Sequence, residues 1–337
     1  MDAFVFPCPE WLSSLSPVQS LSKALNLPTL PVHIHYILLA FCTYHSIFLF
    51  ISPFFSRLLL PNIYPNFNKR TKVNWDVHVV SFIQSTFISI LALWVIFNDE
   101  ERAAWREQGN TDAMLGRVFG ETPMCGAVTG YAAGYFLWDL FMSGYYLSIF
   151  GPGFLAHAAS AVAVYSLGFR PFVNFYAPVF VLFELSSPFL NIHWFCDKIG
   201  LTGSKVQLYN GFLLIGTFFG CRICYGTWSG YLVMKDVWST HFDPPSVLTA
   251  AAKGADEVIP HVFEGFGVPF WLAVVYLTSN SILNLLNYFW FSRMIQTVAS
   301  RFTGDKKAVK EVNVEGHDLT IASGIEKPAA RRREAQT

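Results

Sequence analysis

The chain has 337 residues, of which 53% are hydrophobic, 17% aromatic and only 14% charged; soluble proteins carry about 25% charged residues, so an ordinary water-soluble globule is excluded. Lysine and arginine number 23, as do aspartate and glutamate, which leaves no bulk basic surface for nucleic acid and puts any message of the charges in their placement. Six cysteines are scattered, mostly within apolar runs, without the spacing of a disulfide framework.

Residues 1–32 hold Pro7, Pro9, Pro17, Pro28 and Pro31 but neither a basic start nor an early apolar core, which does not resemble a cleaved signal peptide. A membrane helix needs about 20 mostly apolar residues, and stretches poor in Asp, Glu, Lys and Arg predict seven spans at 33–51, 79–97, 124–150, 153–169, 171–190, 206–234 and 265–292. The fourth and fifth are short and flanked by Gly151-Pro152-Gly153 and Arg170-Pro171, which predicts tight hairpins. Pro178 and Pro188 bend the fifth, and Gly211, Gly216, Gly220, Gly226 and Gly230 punctuate the sixth, so the expected bundle bends around a cavity. Cys221 and Cys224 bracket Arg222 in an apolar segment and read as small buried side chains rather than a redox or metal pair. Residues 301–337 are polar and basic, the composition of a disordered tail.

Seven crossings put the ends on opposite sides. Loops 52–78 and 191–205 and the C-terminal region from Arg293 onward carry fifteen of the 23 basic residues, the other loops seven, and Arg222 lies within a span. Positive charge is retained in the cytosol during insertion, so the N-terminus is expected to be lumenal and the tail cytosolic.

Few ionisable groups then remain at membrane depth: Asp139, Glu184, Arg222, His157 and, nearer an interface, His45 and His193. A charge at the centre of a span costs at least about 2.5–3.5 kcal/mol, so such groups face a protein interior and find partners. Asp139 and Arg222 sit near the middles of the third and sixth spans, while His157 and Glu184 are placed to meet across one hairpin. Two roles stay open for them, as locks between helices or as a site that touches a ligand. His45 reads as a satisfied interface histidine.

Four stretches, GYFLWDLF (Gly134–Phe141), FLAHAAS (Phe154–Ser160), FELSSPFLNIHWFCD (Phe183–Asp197) and YNGFLLIGTFFGCRI (Tyr209–Ile223), resemble the TLC-domain family, which includes the ceramide synthases and the translocating-chain-associating membrane protein. The ELSSPFLNIHW run is most similar to the branch of small TLC-domain proteins that are not proven enzymes. The resemblance implies an all-α polytopic membrane protein with seven transmembrane helices: a lumenal segment 1–32, an extra helix at 33–60, a TLC domain at 70–300 and the tail 301–337. Within the domain six helices form a barrel of two inverted three-helix halves around a lipid-sized cavity. The polar lining then comprises Asp139, Glu184, Arg222, His157, Asn191 and His193.

Ceramide synthases carry two adjacent histidines where this chain has Ala156 and His157. Losing half of a cooperating pair costs orders of magnitude in rate, so acyl-CoA-dependent acyl transfer with His157 as the catalytic base is the alternative rather than the leading reading. The leading expectation is a lipid-binding, lipid-sensing or lipid-moving protein of the endoplasmic reticulum or Golgi that contributes to membrane lipid homeostasis. Its partner would be a sphingolipid, phospholipid or sterol, with no metal, no cofactor and no nucleic acid, and with a homodimer left open. A cargo receptor or assembly scaffold is the third reading.

Overall fold

The computed structural model describes residues 4–242, 268–303, 312–314 and 317–319. Among them run seven long helices: α1 (Leu30–Leu59), α2 (Lys69–Asn98), α3 (Pro123–Tyr145), α4 (Pro152–Leu167), α5 (Asn174–Lys198), α6 (205–242) and α7 (Phe270–Thr303). Three of them, α1, α2 and α5, are long and apolar enough to cross a membrane, and α4 is a shorter apolar helix. Two three-residue strands, Val312–Val314 and His317–Leu319, pair antiparallel beyond α7; the rest of the tail after Thr303 and residues 243–267 lie outside the described residues.

The helices start where local chemistry tells them to. Asn68 caps α2 by accepting from the Thr71 amide at 2.9 Å, Thr122 caps α3 through Cys125 at 3.1 Å ahead of Pro123, and Ser204 caps α6 through Gln207 at 3.2 Å. In α1 a π-helical turn, Ile47–Ile51, precedes Pro53, whose missing N–H cannot close a regular turn. Pro178 and Pro188 break α5 into pieces, with a 3-10 turn at Leu182–Ser186 between two α-helical parts.

Several ends lie beyond the apolar runs. The fifth span was expected to stop at 190, yet α5 continues to Lys198, because Asn191 and His193 are turned inward and buried. Likewise α2 begins ten residues before the expected 79, taking in Asp76 and His78, and α6 runs on past Asp236. The stretch between α2 and α3, read as a plain loop, folds into two helices, Glu100–Ala104 and Thr111–Phe119.

Helices consecutive in the chain alternate in direction, and α1 lies alongside α3 and runs parallel to it. Gly126, Gly130 and Gly134 recur every four residues on α3 and let α1 approach: a Cβ at Gly130 would come within 2.7 Å of the Tyr36 Cβ, and one at Gly134 within 2.5 Å of the Ile37 carbonyl oxygen. The helix ends gather at two rims, the first near residues 30, 98, 123, 174 and 242, the second near 59, 69, 145, 152, 198 and 205. At the first rim Arg117 donates to both carboxylate oxygens of Asp236 at 2.6 and 3.0 Å, Tyr176 donates to the same carboxylate at 2.5 Å, and Arg102 donates to the Phe175 carbonyl at 2.9 Å. Burial pushes the Arg117 guanidinium down, but the bonds to Asp236 and that carboxylate's charge outweigh it, and the net displacement is upward.

Candidate functional site

Glu184 sits in the 3-10 turn of α5, and Pro188, four residues on, has no N–H to offer its carbonyl. The tight turn also frees the Phe183 carbonyl, which accepts from Arg222 Nε at 2.8 Å. The same Nε lies 3.1 Å from the Ser186 hydroxyl oxygen, Nη1 is 3.4 Å from Asn287 Oδ1, and the guanidinium stands 4.9 Å from the centroid of the Phe218 ring. Arg222 is presented by a π-helical stretch, Phe219–Tyr225, that contains no proline; such widened turns recur at functional positions. Gly226, one turn on, has no room for a Cβ, which would come within 2.5 Å of the Phe183 ring.

Around this joint the charges assemble. Glu184 is within electrostatic reach of both Arg222 and Asp139, and Arg222 is a charge that His157 senses. Tyr135, one turn from Asp139 on α3, senses both acids, and Tyr165 of α4 senses Glu184. Asp139, Glu184 and His157 are deep among protein atoms yet each keeps part of its surface accessible, so they border a space rather than fill one. Arg222, at 3% exposure, is buried in the wall. Sequence position suggested that Asp139 faces Arg222 and that His157 meets Glu184; in the structure Glu184 is within electrostatic reach of both Asp139 and Arg222, and His157 is within reach of Arg222.

Asn191 takes part in a second buried joint between helices. The Asn191 amide donates to Ser81 Oγ at 3.0 Å and to the Ser187 carbonyl at 2.9 Å, its oxygen lies 2.7 Å from His78 Nδ1, and the His78 ring stacks on Trp194 at 3.9 Å. This buried joint fastens α5 to α2. Closer to the second rim, Asp76 accepts from Ser52 at 2.6 Å and from Tyr64 at 2.9 Å, tying α1 and the turn after it to α2. The His193 carbonyl lies 3.3 Å from the Gln207 amide, which links α5 to α6. Asp76, His78 and Ser81 were not singled out from the sequence. A signal was there in Ser81, Ser85 and Ser89, small polar residues four apart in an apolar helix, all of them buried.

Chemically the cluster offers one fixed positive charge, two carboxylates, an imidazole and tyrosine hydroxyls, suited to gripping a polar head in an apolar surround. Among the described residues no group of three or more His, Cys, Asp or Glu converges to hold a metal ion. An open cavity of about 560 Å³ at the first rim, lined by Glu101, Trp105, Asp112 and a Glu121 paired with His33, shares no residue with the cluster.

A family model for the TLC domain matches residues 74–296, well over half of the chain and all of the helices that carry the cluster. An uncharacterized TLC domain-containing protein of Schizosaccharomyces pombe is 36% identical over 291 residues, covering 86% of this chain and 87% of that protein. The topoisomerase I damage affected protein 4 of Saccharomyces cerevisiae is 28% identical over 78% of this chain and 84% of its own length, and the human TLC domain-containing protein 4 is 28% identical over 55% of this chain and 67% of its own length. No solved structure matches the chain. The protein is a member of the TLC domain family, akin to the TLC domain-containing proteins rather than to the ceramide synthases.

Proposed function

We propose that this is a multi-pass membrane protein in which six of the seven helices enclose a chamber where the head of a membrane lipid meets Asp139, Glu184 and Arg222, and that it acts on lipid composition by binding, sensing or moving that lipid. The observation that carries the reading is the combination of depth with partial accessibility at Asp139 and Glu184. A carboxylate facing hydrocarbon costs several kcal/mol, and a purely structural lock would be covered by its partners as Arg117 and Asp236 are. In this reading α2 to α7 form the barrel, α1 lies outside it against α3, the second rim faces the cytosol together with the tail, and the home is the endoplasmic reticulum or Golgi.

Purification in a mild detergent followed by mass spectrometry of the retained lipid tests it. One lipid class is expected to be enriched several-fold over its share of the source membrane, and the Glu184→Ala/Arg222→Ala double variant is expected to lose that enrichment while still eluting as folded protein. Retention of the same lipid by the double variant, or of bulk lipid alone by both, would count against the reading.

A further inference from the structure

Residues 4–9, Phe-Val-Phe-Pro-Cys-Pro, precede the first helix at Glu10 and are seated in a cleft between α1, α2 and α3. The Phe6 backbone N–H donates to Tyr36 Oη at 2.8 Å, and the Tyr36 hydroxyl donates back to the Phe6 carbonyl at 2.8 Å; His35 Nε2 lies 2.9 Å from that oxygen. Tyr131 Oη donates to the Phe4 carbonyl at 3.3 Å, and the Phe4 ring is 5.3 Å from that of Phe87. Tyr36 is six residues into α1, Tyr131 eight into α3 and Phe87 eleven from the end of α2, which puts the contacts about 9–16 Å below the first rim at 1.5 Å per residue. Irregular backbone at such depth is tolerated only where protein groups satisfy its polar atoms.

The segment is lightly held. Phe4 and Phe6 are 41% and 38% exposed, and of the six residues only Val5 and Cys8 are partly covered, Val5 against the main apolar core. Segments with few buried contacts open locally far below the global unfolding free energy. Pro7 and Pro9 have no N–H, so the strap presents carbonyl acceptors with few donors along an apolar body. An ester-linked acyl chain has that same chemistry. We propose that the first-rim cleft walled by His35, Tyr36, Phe87 and Tyr131 is a binding site for the ester region of a diacyl lipid, and that residues 4–6 occupy it as a displaceable strap. It is a second site, separated from Asp139 by two turns along the face of α3 that carries Tyr131 and Tyr135.

The test uses the full chain in phosphatidylcholine nanodiscs containing a phosphatidylcholine probe with a photoreactive diazirine beside the acyl ester. Illumination is followed by peptide mapping. Val5→Glu, which places a charge against the core, and Phe4→Ser/Phe6→Ser, which removes the ring contacts of Phe4 with Phe87 and of Phe6 with His35 and Tyr36, are each expected to raise labelling of the peptides holding Tyr36 and Tyr131 several-fold. Adding Tyr36→Phe and Tyr131→Phe to Val5→Glu is expected to return labelling to the wild-type level. Unchanged labelling in both strap variants overturns the proposal, as does a gain that survives loss of the two hydroxyls. A first-rim gain without any label on the peptide that holds Glu184 would support this site and count against the chamber around Glu184, so the two readings fail separately.

Discussion

Glu184 is tolerable in an apolar helix because Arg222 lies within electrostatic reach of it across the α5–α6 joint. Removing one partner of such an enclosed pair costs about 3–5 kcal/mol, chiefly because the remaining charge is left stranded. Arg222→Ala is therefore expected to lower the thermal unfolding midpoint in detergent sharply, and Glu184→Gln in the same chain to restore part of the loss. Strictly additive losses would mean that the two do not interact. At Asn191 the account is different: Asn191→Leu strands the polar groups of His78 and Ser81 and should cost about 1–3 kcal/mol in the same assay, with retained lipid unchanged because Asn191 is fully buried away from the cluster. Asp139, Glu184 and Arg222 stand out in the sequence because a charge in an apolar run must face inward and find a partner, whether as a lock between helices or as a site. Asp76 and His78 were not, because they stand next to the basic residues Lys69, Arg70 and Lys72 and read as the end of a loop.

At the scale of elements, glycines that look alike in the sequence divide by what faces them. A Cβ at Gly134 would collide with the backbone of α1, whereas at Gly216 nothing lies within 4 Å. Gly134→Ala is expected to destabilise by about 1–3 kcal/mol through overpacking, and Gly216→Ala to stabilise by about 0.5–1 kcal/mol through helix propensity; thermal unfolding of the two variants side by side checks the opposite signs, and equal shifts would refute the α1–α3 contact. The apolar runs located the seven helices but not their ends, since a run stops at its first polar residues while a helix stops where its backbone runs out of partners. Asn191 and Asp236 look like loop residues until His78 and Arg117 are seen to meet them. Likewise the Gly126, Gly130, Gly134 repeat was visible in the sequence, but which helix it receives was not.

For the whole molecule, the proposed orientation, with the second rim in the cytosol, rests on the distribution of basic residues. In a chain with Cys8 replaced by serine, Thr202→Cys at the second rim is expected to react with an impermeant maleimide added to the cytosolic face of intact vesicles, and Gln108→Cys at the first rim to react only after permeabilisation; the reverse pattern would invert the protein. Family membership and helical class were readable from local motifs. The order of groups around Arg222 was not, because it depends on how the pieces of α5 and the π-helical stretch of α6 rotate their side chains.

The most direct measurement is a density map of the protein in a nanodisc made from its native membrane, at a resolution that reveals lipid. A continuous lipid density is expected, with its head within hydrogen-bonding distance of Asp139 or Glu184. A space closed by side chains, or carboxylates turned toward the surrounding bilayer, would contradict it.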